Sequence, residues 1–126
     1  VEVVAREDGH RLAEGLRPVA SRAELQAARA AVDAVRCDRE LAAFMVALAG
    51  HTRRAPDAAH GVSTRGAQAL HRACRARAFV HGRAYVVPDD VRALLQPVWA
   101  HRLGTRSGAG TEALLHEALA ETPMPD

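Results

Sequence analysis

Apolar residues recur along this chain with the spacing of helices packed on one side. Leu25, Ala28, Val32 and Val35 follow an i, i+3, i+7, i+10 series, and Ser21 with Glu24 forms a capping box before it, which predicts a first helix over 22–36. Asp38 can cap a second helix whose inward stripe is Leu41, Phe44, Met45 and Leu48 and which should end near Arg53. A third runs from Thr64 to His81 and stops at Gly82. It is apolar on two sides, with Ala67, Leu70, Cys74 and Ala78 on one and Ala69, Ala73, Ala76 and Val80 on the other, so it should be central. The remaining sector carries Arg65, Gln68, His71, Arg72 and Arg75.

Tyr85–Val87 reads as a short extended link, and Pro88 followed by Asp89 and Asp90 opens a fourth helix with Val91, Leu94, Leu95 and Val98 inward. Pro97 inside that pattern predicts a kink or an end before Trp99. After a Gly-rich segment, 104–110, expected to be flexible, Thr111 should cap a last short helix with Leu114, Leu115, Ala118 and Leu119 inward. Residues 1–19 keep no period and carry the breakers Gly9, Gly15 and Pro18. The expected fold is all-α: a small bundle of four to five helices with a short extended link before the fourth.

Composition narrows the chemistry. Hydrophobic residues make up 48% of the 126 positions but aromatics only 3%, so the core must be built from alanine, leucine and valine in close-set helices. All 17 basic side chains are arginine, and isoleucine and asparagine are absent as well, which a GC-rich genome explains. Arginine abundance is therefore poor evidence for nucleic acid, and a formal charge of +2 falls short of the basic footprint of such binders. Without lysine the chain can form no phosphate-binding loop of the P-loop type, so it cannot hydrolyse ATP by that route alone. Cys37 and Cys74 fall on separate helices without metal-type spacing and read as small hydrophobes in a reducing cytosol. No run approaches the ~18 apolar residues of a membrane span. No pair among the seven histidines has metalloprotease spacing, and no metal site is expected.

One placement asks for a reason. Ser63 has the side chain of an N-cap, which puts Thr64 and Arg65 in the first turn of the third helix. Free backbone N–H groups and the positive end of the helix dipole favour an anion there and disfavour a cation. A phosphate gripped jointly by the Arg65 guanidinium and the helix end would account for it.

The stretch Gly61–Leu103, with Gly61-Val62-Ser63-Thr64-Arg65-Gly66, Gly82-Arg83-Ala84-Tyr85-Val86-Val87-Pro88-Asp89-Asp90-Val91 and the closing His101-Arg102-Leu103, resembles the lid domain that follows the ATPase core in MoxR-type AAA+ proteins. Pro18-Val19-Ala20-Ser21 with Glu24-Leu25, and Thr52-Arg53, are similar to further elements of that family. Two departures are visible: Thr64 stands where the family usually has proline and Gly66 where it usually has alanine, which predicts a looser helix N-terminus.

The resemblance implies that residues 1–20 link to an N-terminal AAA+ core and 21–126 form the lid, in a cytoplasmic protein. By the same resemblance Arg65 is the second sensor arginine, acting with Ser63 and Thr64 on a nucleotide whose ATP and Mg²⁺ are bound mainly by the core. It further implies a homo-oligomeric ring, hexameric in the family, that remodels a client protein with a von Willebrand factor A-type partner. Arg83, Tyr85 and Asp90 are expected to hold the link between the third and fourth helices, and His101 to end a helix. Arg53 is left between a neighbouring subunit and the lid's own turn. The alternative is a DNA-binding or histone-like α-module, against which the near-neutral charge and acidic Pro88–Asp90 segment count.

Overall fold

The first three helices start where a serine or aspartate side chain accepts one of their first amides. In a computed structural model, which describes residues 15–125, the order is α1 (Arg22–Ala34), α2 (Arg39–Arg54), β1 (Ala58–His60), α3 (Thr64–Val80), α4 (Pro88–Trp99), a 3₁₀ turn (Ala100–Arg102), β2 (Gly104–Thr105) and α5 (Thr111–Glu121). Two compact units divide after Ala30.

In the first unit the capping box closes as expected: Ser21 N–H donates to Glu24 Oε2 at 2.7 Å and Glu24 N–H to Ser21 Oγ at 3.1 Å. These bonds to the Ser21 amide and hydroxyl hold the Glu24 carboxyl below its ordinary value. No α1 residue is fully buried, and Val35, just past its last turn, belongs to the core of the second unit.

In the second unit α3 packs between α2 and α4, and α5 lies across α2. Leu41, Phe44, Met45 and Leu48 of α2 meet Leu70, Cys74 and Ala78 of α3, Val91, Leu95 and Trp99 of α4, and Leu114, Leu115 and Ala118 of α5 in one core. Only one side of α3 is fully buried. Ala69, Ala73 and Ala76 are half-buried and Val80 is exposed, so its second apolar side is a shoulder rather than a second interface.

The helix ends correct several expectations. Gly82 stops α3 in the left-handed region at φ +70°. α4 runs through Pro97 to Trp99 and tightens into the 3₁₀ turn instead of ending early, because Trp99 is wholly buried and anchors that last turn. Gly110, not Thr111, is the N-cap of α5; the Thr111 hydroxyl points back to the Ala100 carbonyl at 3.3 Å. The all-α bundle also carries a small antiparallel pair, β1 with β2, that the helical pattern did not disclose. Nor is the following loop free, since Asp57 accepts Ser107 N–H at 2.9 Å and Ser107 Oγ–H at 2.6 Å while its carbonyl takes Arg106 N–H. Those Ser107 bonds hold the Asp57 carboxyl below its ordinary value.

The link behaves as predicted. Tyr85 pairs in parallel with Arg36 through Arg36 N–H to Ala84 O and Val86 N–H to Arg36 O, both 2.9 Å. Asp90, 1% exposed, receives both Arg83 nitrogens at 2.7 and 2.8 Å and Val87 N–H at 2.9 Å, and Arg83 also donates to the Tyr85 carbonyl. Arg77 Nε lies 3.2 Å from Asp90 Oδ1 but out of line for a bond, so it adds charge only. Burial pushes the Asp90 carboxyl up; the Arg83 bond, the Val87 amide and the two guanidinium charges outweigh it and hold the group below its ordinary value.

The N-terminus of α3 is tighter than its sequence suggests. Gly66 is buried, and a Cβ there would lie 2.7 Å from Val62 Cγ1, while one on Gly61 would lie 2.6 Å from the Arg53 backbone. The glycine expected to loosen this end is instead what lets Val62, fully buried, close over it.

Two stability measurements check these readings. Asp90→Asn should cost about 3 kcal/mol in urea unfolding at neutral pH, because it strands guanidinium charge at a buried site. The Asp90 contribution is fully present above the unfolded pKa of about 3.9 and lost as pH falls through the lower folded value, so the gap between wild type and variant should close in acid. Gly66→Ala should lower the unfolding midpoint by about 1 kcal/mol in stability despite the ~1 kcal/mol helix-propensity gain, since overpacking costs about 1–3 kcal/mol.

Candidate functional site

Ser63, Thr64 and Arg65 fall together at the entrance to α3. Ser63 is the N-cap, with extended backbone (φ −73°, ψ 166°), and its Oγ accepts Gly66 N–H at 3.2 Å while its carbonyl takes Ala67 N–H. The cap consumes the Ser63 oxygen, so that side chain builds the site rather than reaching out of it. The amides of Thr64 and Arg65, in the first turn, have no intrahelical acceptor. Both side chains are exposed, and among the described residues no hydrogen bond or ion pair engages the Arg65 guanidinium.

The turn is held from two sides. From α2, Thr52 Oγ1 receives Val62 N–H at 3.0 Å and donates to Ala49 O at 2.9 Å, and Arg53 Nη1 donates to Val62 O at 2.7 Å. Thr52 is wholly buried, and between them Thr52 and Arg53 meet both the N–H and the carbonyl of Val62. From α4, Trp99 Nε1–H donates to Gly66 O at 2.9 Å. The sequence left Arg53 open between two roles; the structure points it at the lid's own turn. Trp99 went unnoticed, although a lone tryptophan in a chain poor in aromatics, with an N–H that must find a partner when buried, was a usable signal. His101 sits in the 3₁₀ turn that closes α4, and Arg102 Nε donates back to Val98 O at 3.1 Å.

The arginine face of α3 does not act as one surface. Arg75 donates through Nε to Val35 O at 2.8 Å and through Nη2 to Asp33 O, which caps the end of α1. Burial, with the Arg75 and Arg72 charges nearby, holds the His71 imidazole below its ordinary value and so favours its neutral form. A cleft of about 770 Å³ opens here between Asp33–Arg39, His71, Arg75 and Tyr85, and Arg65 is not part of it. Burial pushes the Cys37 thiol up, and burial with the Asp90 charge pushes Cys74 up to about 12, which disfavours the reactive thiolate at both.

His51, Glu117 and Glu121 bring donor atoms within 4.8 Å of one another on α2 and α5, with His51 Nδ1 3.8 Å from Glu121 Oε2. Both carboxylates are exposed and no further feature marks the place for a metal. For a nucleotide, the fit is confined to Arg65 and the free amides beside it, which suit an anion and offer nothing to a base, a ribose or Mg²⁺. No helix among the described residues is long and apolar enough to cross a membrane.

Comparison with known proteins agrees with this architecture. The family model of the AAA lid domain matches residues 50–121, more than half of the chain. An uncharacterized protein of Bacillus subtilis, YeaC, is 31% identical over 124 residues, which cover 98% of this chain and 39% of that protein. Protein MoxR of Paracoccus denitrificans is 48% identical over 71 residues, 52% of this chain and 21% of its own length. A solved structure from Cytophaga hutchinsonii, described as a candidate ATPase, superposes with a TM-score of 0.72 at 23% identity over 77% of this chain and 34% of its own, which shows the shared fold. The chain thus spans about two fifths or less of the length of the relatives it matches. With its helical bundle, its Arg83–Asp90 link and its capped α3, the chain belongs to the AAA lid domain family, in the form carried by MoxR-type AAA+ ATPases.

Proposed function

We propose that this lid senses nucleotide through Arg65. One observation carries the reading: an arginine without a partner among the described residues stands in the first turn of a helix whose entrance is fixed from both sides. A first-turn cation is repelled by the helix dipole, so an isolated lid gains nothing from it. A terminal phosphate of ATP removes that conflict, because it is bonded by the guanidinium and attracted by the free amides together. The phosphate then holds lid and core closed, and its release after hydrolysis lets them part. Thr64 lines the approach, and Ser63 sets the turn.

In this reading residues 1–20 connect the lid to a core that holds ATP and Mg²⁺ for the most part. The whole protein assembles through its cores as a ring, six-membered after the family pattern, in the cytoplasm. Nucleotide turnover drives remodelling or maturation of a client, with a von Willebrand factor A-type protein as partner. Membership of the lid family and similarity to MoxR proteins support this assignment.

The test is steady-state ATP hydrolysis by the longer protein that joins this chain to its core. Arg65→Ala should lower kcat at least about tenfold, the worth of a charge-assisted bond of about 1.5–3 kcal/mol. A wild-type kcat in that variant would sink the sensor role.

A further inference from the structure

We infer that Trp99 and Arg53 are positioning residues for Arg65, an inference that rests on the sensor reading above. Arg65 stands between two carbonyls, Val62 and Gly66, and each is gripped by a side chain from a different helix, Arg53 of α2 and Trp99 of α4, at 2.7 and 2.9 Å. Neither bond is needed for the helix to form. The Ser63 cap already starts α3, and the Gly66 carbonyl is in place to accept the ladder bond that any helix makes four residues on. What the added bonds fix is direction: with the Val62 and Gly66 peptides immobile, the Cα–Cβ vector of Arg65 has one orientation.

Direction matters for a long side chain meeting a phosphate that another domain holds. A misplacement of about 1 Å at a reacting centre costs up to about 100-fold in rate, and the root of the side chain is where the least movement does the most harm. Trp99 is wholly buried, so it bears on Arg65 through the fold rather than from the surface, and its indole N–H bond runs to the Gly66 carbonyl, one residue beyond Arg65. Gly66 completes the device. Its missing Cβ lets Val62 close on the turn, since a Cβ there would lie 2.7 Å from Val62 Cγ1.

The experiment is a kinetic cycle in the full-length ATPase. Trp99→Phe, which keeps the ring and deletes the donor, and Arg53→Met, which keeps the stem of an exposed residue, should each lower kcat about tenfold and leave the KM for ATP within about twofold. Arg53→Lys, which restores a donor, should recover most of the rate. Combined with Arg65→Ala, neither variant should be slower than Arg65→Ala alone, because a positioning residue has nothing left to position. Wild-type kcat in both clamp variants, or losses that multiply with Arg65→Ala, would refute the positioning role and leave the sensor role standing. Normal hydrolysis by Arg65→Ala itself would remove both. Should Trp99→Phe fail to fold, Arg53→Met decides alone, and amide exchange at Thr64–Ala67 should be faster in it than in wild type; unchanged exchange counts against the clamp.

Discussion

A peptide group buried without a partner costs more than most side-chain contacts return, and at the turn into α3 that constraint falls on Val62. It must be buried to close the core beneath the turn into α3, and its N–H and carbonyl enter the interior with it. Thr52 and Arg53, neighbours on the last turn of α2, answer those two groups. The bond from Trp99 to Gly66 then joins α4 to the same corner, and β1 with β2 runs along its edge. The exposed end of α3 is therefore fastened from two other helices, and it is the end that carries Arg65.

A second buried polar site fastens the other end of the same helix pair. Asp90 is a carboxylate with almost no access to water, kept ionised by a bidentate arginine, a backbone amide and a further charge. Such pairs are weak evidence for extra stability, because desolvation offsets much of the attraction. Their value lies in register: Arg83 meets Asp90 in one geometry, which sets where Pro88 begins α4 relative to the end of α3.

Local signals gave most of the architecture. Ser21 with Glu24, Asp38, Ser63, Gly82 and Pro88 each mark a helix end through chemistry confined to a few residues, and each acts where it was expected. The failures share a cause. Pro97 argues for an early helix end only until Trp99 is known to be buried two residues later, and Gly66 argues for looseness only until Val62 is seen above it. The short β1–β2 pair and the Asp57–Ser107 bonds join positions about 50 apart, and strands of three and two residues are too short for any periodicity to announce them. The candidate site was legible in its cap and its misplaced arginine, both local. Its supports, from Thr52 and Trp99, were not, because they depend on which helices meet.

Because α3 and α4 run antiparallel and are bolted near both extremities, by Asp90 at one and by Trp99 at the other, they form a splint. Neither helix can slide along its neighbour without breaking a buried polar bond. The Arg65 end and the far tip around Gly82 are therefore the two ends of one stiff arm.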